Sequence, residues 1–171
     1  MSIRPILILP DPRLRQVAEP VEAFDDDLKK TVEDMFETMY DAPGIGLAGP
    51  QIGYMKRVVV IDLADEENPD SGKIAMVNPE IVAFGEETEI SEEGCLSIPE
   101  LYYEVERPAT VTVRYWTPEG KEVTREATGR LAVAMQHEID HLDGVLYIDY
   151  LSRLKRDRVV KKFQKAAKRA G

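Results

Sequence analysis

Residues 129 to 144 read GRLAVAMQHEIDHLDG. Wound at about 3.6 residues per turn, Leu131, Val133, Ala134, Met135, Ile139 and Leu142 cover most of the circumference, so this helix is expected to be central and buried. Yet its middle carries HEIDH. His137 and His141 stand four residues apart, one turn above each other on one face, and Glu138 points beside them. A titratable group on an otherwise apolar helix is costly unless it is used. Two imidazoles at this spacing followed by a Glu is the helical arrangement in which one metal ion is held and the carboxylate serves as general base. The buried helix constrains the fold, and its polar centre constrains the chemistry.

Two ligands do not make a catalytic centre, which takes three from the protein and leaves the fourth position to water. The metzincin extension HExxHxxGxxH is followed through HEIDHLDG, but Tyr147 stands where the third histidine belongs. A thermolysin-like set needs a downstream Glu, and residues 159 to 166 hold no carboxylate. Asp140, Asp143 and Asp149 lie nearby, although Asp140 sits on another helix face. The remaining soft ligand is Cys95, in EEGCLSIPE, so the strongest ligand candidates are the sole cysteine and both histidines of the chain. Thiolate with imidazoles suits Fe(II), Zn or Ni better than a hard ion such as Mg.

At 171 residues and 43% hydrophobic composition, one globular domain with a real core is expected. The apolar run VVVI at Val58 to Ile61 is far shorter than the roughly 20 residues of a membrane span, and no signal-peptide pattern opens the chain. We therefore expect a cytoplasmic protein with no membrane partner. The net charge of −10 is unevenly distributed: residues 152 to 171 carry nine Lys or Arg against one Asp, while residues 1 to 151 carry thirteen basic and thirty-one acidic side chains. A basic tail on an acidic body suggests an interaction segment. Read as a helix capped by Ser152, it has a modest apolar face of Leu154, Val159, Val160 and Phe163.

Other segments are legible by period. Asp25 to Ala42 places Leu28, Val32, Met35, Phe36 and Met39 at helical spacing, with Asp25 to Asp27 at the positive end and Pro43-Gly44 as the stop. A glycine-rich loop runs to Gly53, and Val58 to Asp62 reads as a buried strand. Ile74 to Phe84 reads as one strand or a pair broken near Asn78-Pro79, followed by an acidic segment from Glu86 to Gly94. Thr110 to Trp116 alternates with period two, and TPEG turns it into Lys121 to Thr128 as a hairpin. Strands followed by the key helix predict an α+β fold: mixed or antiparallel strands around the HExxH helix, an N-terminal helix and a C-terminal basic helix.

Three segments in order, GIGLAGPQIG (Gly44 to Gly53), EGCLS (Glu93 to Ser97) and QHEIDHLDG (Gln136 to Gly144), together with PDPRLR near the N-terminus, resemble the peptide deformylase family. The resemblance implies a catalytic domain over residues 1 to 151 with 152 to 171 as its basic helical extension. It implies a metal on Cys95, His137 and His141, with Glu138 as general base, and the Gln51 side chain and Leu96 backbone N–H on the carbonyl oxygen under attack. Ile45, Gly46, Val133 and Ala134 would line the substrate cleft. The implied reaction removes formyl from the N-terminal formyl-methionine of new polypeptides, usually with Fe2+, while Zn2+, Ni2+ or Co2+ can occupy such a site. The chemistry is coherent, since water on a divalent ion has its pKa lowered from about 16 to about 7. The chain departs from the family pattern at Gly49, where alanine is usual, and at Leu101-Tyr102, where many bacterial members have Gln and Arg.

Two rival readings fare worse. GIGLAG (Gly44 to Gly49) matches GxGxxG, but a nucleotide fingerprint needs strand, loop, then helix, and here a helix precedes the loop and a strand follows. No nucleotide cofactor is expected. An RNA-binding protein with a structural metal would normally close the site with four protein ligands, and three strong ones are present. The basic helix can still serve the ribosome as a partner.

Overall fold

The computed structural model describes residues 2 to 63 and 72 to 170. Helix α1, Asp26–Asp41, starts where the acidic run predicts: the Asp25 carboxylate accepts from the Leu28 N–H at 3.0 Å, satisfying an otherwise orphaned donor. Its buried stripe is Leu28, Val32, Met35, Phe36 and Met39. The glycine-rich loop is more ordered than its composition suggests. It contains a short strand β1, Gly46–Ala48, and a 3-10 turn, Gly49–Ile52. A Cβ on Gly49 would lie 2.6 Å from the Tyr54 carbonyl oxygen and 2.7 Å from that of Lys56, which explains why alanine is not accommodated here.

Strands β2 (Val58–Ile61), β3 (Ile74–Phe84), β6 (Thr110–Trp116) and β7 (Glu122–Thr128) join β1 in an antiparallel sheet of order β1-β2-β3-β6-β7. Strands β4 (Thr88–Cys95) and β5 (Ile98–Pro108) form a separate hairpin. The β6–β7 hairpin is closed by the TPEG turn, in register from Thr110↔Thr128 to Trp116↔Glu122. β3 is not broken at Asn78-Pro79. It bulges there, with Asn78 at φ 50°, because the Asn78 side chain is used elsewhere: it accepts from the Val21 N–H at 2.8 Å and donates to the Val21 carbonyl at 3.0 Å. The acidic segment is itself a strand, which its charge concealed.

Strand β2 explains the layering. Val59 and Ile61 join a cluster with Met135, Ile139 and Leu142, whereas Val58 and Val60 join Val32, Met35, Phe36 and Met39 of α1. Alternate side chains leave opposite faces of a strand, so this part of the sheet is covered on both sides and a continuous apolar run is required. Helix α2, Gly129–Leu142, is the central element expected, pressed between the sheet and the β4–β5 hairpin. The basic helix α3, Arg153–Ala170, buries Val159 and Phe163 in a third cluster with Leu14, Ile98 and Tyr147, while Leu154 is exposed rather than part of that face. Ser152 caps it, its hydroxyl accepting from the Lys155 N–H at 3.3 Å. Among the described residues no helix is long and apolar enough to cross a membrane.

The N-terminal strap is tied down by charge. Arg4 reaches Asp34 Oδ2 at 2.8 Å and the Ser2 N–H donates to Asp34 Oδ1 at 2.7 Å. Burial alone would raise the Asp34 carboxyl, but these donors outweigh it and hold its pKa below the ordinary 3.8. A depressed folded-state pKa contributes stability that is present above the unfolded value and lost as pH falls through the folded one. Asp34→Asn is therefore expected to be about 1–3 kcal/mol less stable than the wild type at neutral pH, with the gap closing below pH 3.8 as the wild-type carboxylate protonates. Urea midpoints measured across that range check this, and a gap independent of pH would contradict it.

Candidate active site

Helix α2 turns inward along its whole polar edge, so that Gln136, His137, Glu138 and His141 are all buried. The β4–β5 turn brings Cys95 and Leu96 over this edge. One ligand atom from each of Cys95, His137 and His141 lies within 4.8 Å of the other two, and Cys95 Sγ is 3.3 Å from His141 Nε2. Two elements more than forty residues apart thus deliver the three candidates to one point.

The imidazoles differ in their other nitrogen. His137 Nδ1 meets Glu93 Oε1 at 3.0 Å, leaving Nε2 directed at the cluster, while His141 Nδ1 is buried with no hydrogen-bond partner. Burial depresses the His141 pKa well below 6.5, which keeps the ring neutral and its lone pair available. For His137 burial also opposes the charge, yet Glu138, the Cys95 thiol and Glu93 together push its pKa well above 6.5. That is an anionic surrounding built to hold positive charge. A soft sulfur, two imidazoles and this field fit a divalent transition-metal ion.

Glu138 lies beside the cluster, 6% exposed, with Oε1 out of contact with solvent and lacking any partner. Burial raises its carboxyl to about 7. A cation next to it would draw it back toward the ionised form. β1 runs against it so closely that a Cβ on Gly46 would sit 2.5 Å from Glu138 Oε2, so any larger residue there would displace the carboxylate. Gln51 is buried in the 3-10 turn: its Oε1 accepts from the Ala48 N–H at 2.9 Å, and its Nε2 donates to Ser97 Oγ at 3.1 Å and to Cys95 Sγ at 3.6 Å. The Gln51 amide is therefore aimed at the ligand cluster, as a carbonyl-binding donor must be.

A cleft of about 720 Å³ opens over these groups, bounded by Ile45, Gly46, Gln51, Leu96, Tyr102 and Glu138. A second cavity of about 380 Å³ leads off beside His137 and Glu138, with Val133, Ala134 and Ile45 in its wall. All ten residues singled out from the sequence fall on the ligand cluster or these two spaces. Sequence reading missed the support behind them. Arg107 on β5 grips Glu93 with two bonds of 2.6 and 2.9 Å and donates to Asp140 Oδ2 at 2.9 Å, and Asp140 also accepts from Tyr150. Glu93 is held ionised, since Arg107 and His137 outweigh the upward push of burial. Tyr147, which replaces a third histidine in the string, stacks on His137 at 5.9 Å and donates to the Leu101 carbonyl. A Glu two residues before the cysteine was the available signal for this support.

An α+β fold in which a buried helix and a hairpin turn offer sulfur and two imidazoles beside a desolvated carboxylate defines the class of metal-dependent hydrolases. Comparison with known proteins narrows the class. Residues 3–157 match the family model described as polypeptide deformylase. The chain is 56% identical to a peptide deformylase of Rhizobium meliloti over all of its own length and 98% of that protein. It is 59% identical to one from Brucella suis, with 98% and 95% covered. Among solved structures it matches the Ehrlichia chaffeensis peptide deformylase in complex with actinonin at a TM-score of 0.92 and 40% identity, covering 97% and 98% of the two chains. The Legionella pneumophila enzyme matches at 0.86 and 47%, covering 98% and 99%. The chain belongs to the polypeptide deformylase family, enzymes that hydrolyse N-terminal formyl groups.

Proposed function

We propose that this enzyme removes the formyl group from the N-terminal formyl-methionine of nascent polypeptides, in the cytoplasm, with Cys95, His137 and His141 holding one divalent ion. The observation that carries the reading is the convergence of those three ligand atoms within 4.8 Å beside a buried, partnerless Glu138 oxygen. Fe2+ is the first choice, and Zn2+, Ni2+ or Co2+ suit the same donors. When bound, the ion supplies Lewis-acid polarisation and a water acidified to near neutrality.

The chain's own groups do the rest. Glu138 Oε1 takes the proton of the attacking water and returns it to the departing nitrogen. Gln51 Nε2 and the Leu96 N–H face the oxygen on which charge develops, each such donor being worth on the order of 10²- to 10³-fold. Ile45 and Gly46 border the peptide backbone, and the cavity walled by Val133 and Ala134 receives the methionine side chain. Water attack breaks the formyl C–N bond and yields formate and a free amine. The test is an anaerobic assay of formate release from a formyl-methionyl peptide with metal content measured in the same sample. Hydrolysis of internal peptide bonds instead would favour a protease.

We treat residues 1 to 151 as the catalytic unit and 152 to 171 as its basic helical extension. Two buried side chains, Val159 and Phe163, anchor the extension, while Arg158, Lys161, Lys162, Lys165 and Arg169 border an open groove along α3. This face is the reading's contact for ribosomal RNA. Deleting residues 153 to 171 should weaken ribosome binding, with a strong salt dependence. Unchanged sedimentation with ribosomes after deletion would rule the contact out.

A further inference from the structure

The cavity assigned to the first side chain is not wholly apolar. Along β4, Ser91 and Glu93 lie two residues apart and so leave the same face of the strand. Glu93 uses that face to reach His137 at 3.0 Å, so Ser91 also points toward α2, and it lines the cavity together with Val133 and Ala134. Its hydroxyl oxygen is cut off from solvent and has no hydrogen-bond partner. A desolvated hydroxyl left unpaired costs about 1–3 kcal/mol, and such a group needs an explanation. The rim adds Arg130, an exposed cation that makes no ion pair among the described residues, and the carboxylates Glu89 and Glu92. A side chain ending in a carboxylate would meet those acids. A neutral end with a strong acceptor would meet the Ser91 hydroxyl and the Arg130 guanidinium.

Resting on the formyl-methionine reading of the site, we propose that Ser91 sets the specificity of this cavity, and that it admits chains whose initiator methionine has been oxidised to the sulfoxide. Sulfoxidation turns a flexible apolar side chain into a polar one of similar length, bearing an oxygen that accepts hydrogen bonds. An apolar cavity would desolvate that oxygen and reject it. Here the oxygen accepts a hydrogen bond from the Ser91 hydroxyl, turned into the cavity by rotation about its side-chain bond, which offsets both desolvations. The reaction itself is unchanged: water still cleaves the formyl C–N bond, and the sulfur is neither oxidised nor reduced.

The test compares kcat/KM for three otherwise identical formyl peptides, beginning with methionine, methionine sulfoxide or norleucine. The wild type should turn over the sulfoxide within about tenfold of methionine. Ser91→Ala should lower the sulfoxide value by about tenfold, the loss of one hydrogen bond, and leave the norleucine value within about twofold, because the hydroxyl is already cut off from solvent before a substrate binds. Arg130→Leu should lower the sulfoxide-to-norleucine ratio in the same direction by a few-fold. If Ser91→Ala leaves that ratio unchanged, the hydroxyl does not meet the substrate and the proposal is overturned. It is likewise overturned if the wild type rejects the sulfoxide by a hundredfold or more. Formate release from none of the three peptides would instead refute the underlying reading of the site, so the two failures are distinguishable.

Discussion

Glu138→Ala should keep its metal and lose about 10²- to 10⁴-fold in kcat. Its carboxylate is not among the three atoms that converge, so the donor set survives the change. What disappears is the one buried oxygen beside that set with no other occupation. Stability should not suffer in proportion, because removing a carboxylate that lacks a partner also removes its desolvation cost, which offsets the cavity left behind. Glu138→Gln provides the volume-matched control. It fills the space under Gly46, where a Cβ would be only 2.5 Å from Glu138 Oε2, yet cannot accept the proton, so it should be nearly as inactive as the alanine variant. Elemental analysis alongside formate release separates the possibilities. Metal retained with full turnover would remove Glu138 from the chemistry, and metal lost would mean that it helps to hold the ion.

The helix and the candidate ligands were legible because each left a strong pattern. Six apolar residues around α2 left it only an interior position, and the spacing of His137 and His141 left their imidazoles on one face. The third candidate emerged by elimination, since Cys95 was the last soft donor among the ligand candidates. By contrast, β4 and β5 were invisible. TEISEEGC is rich in Glu, and in the hairpin four of its eight residues are exposed and only Glu93 is buried, so no period of two in hydrophobicity marks the strand. Its information lies in the two inward residues, Ser91 and Glu93, whose value depends on partners distant in sequence. The same holds for β1: GLA is too short to announce a strand, and it forms because β2 offers Ile61, Val60 and Val59 as partners. Arg107, one residue before the end of β5, reads as one more surface cation until the fold buries it to 3% exposure.

Arg107 carries the second large expected effect. Its guanidinium binds Glu93 through two nitrogens and Asp140 through a third, and Glu93 in turn accepts His137 Nδ1. Both partners of the Arg107–Glu93 pair are nearly inaccessible, with side chains 4% and 3% exposed. Breaking a buried pair by removing one partner leaves an uncompensated charge, typically at a cost of about 3–5 kcal/mol. Arg107→Met, which keeps much of the volume, should therefore destabilise the protein by that amount in urea unfolding. It should also weaken metal retention by about 10- to 100-fold, because a ligand imidazole is oriented by the acceptor on its far nitrogen. Tyr150→Phe supplies the contrast. It removes only the 2.8 Å bond to Asp140, in an exposed setting, and should cost 1.5 kcal/mol at most, roughly that of a single hydrogen bond. If the Arg107 variant unfolds early but retains metal as tightly as the wild type, the pair stabilises the hairpin without tuning the site. If both properties fall together and Glu93→Gln reproduces the metal defect at a smaller stability cost, then the charge buried behind His137 orients the ligand. The stability invested in burying two charges would then be recovered as a ring held in one orientation before the ion arrives.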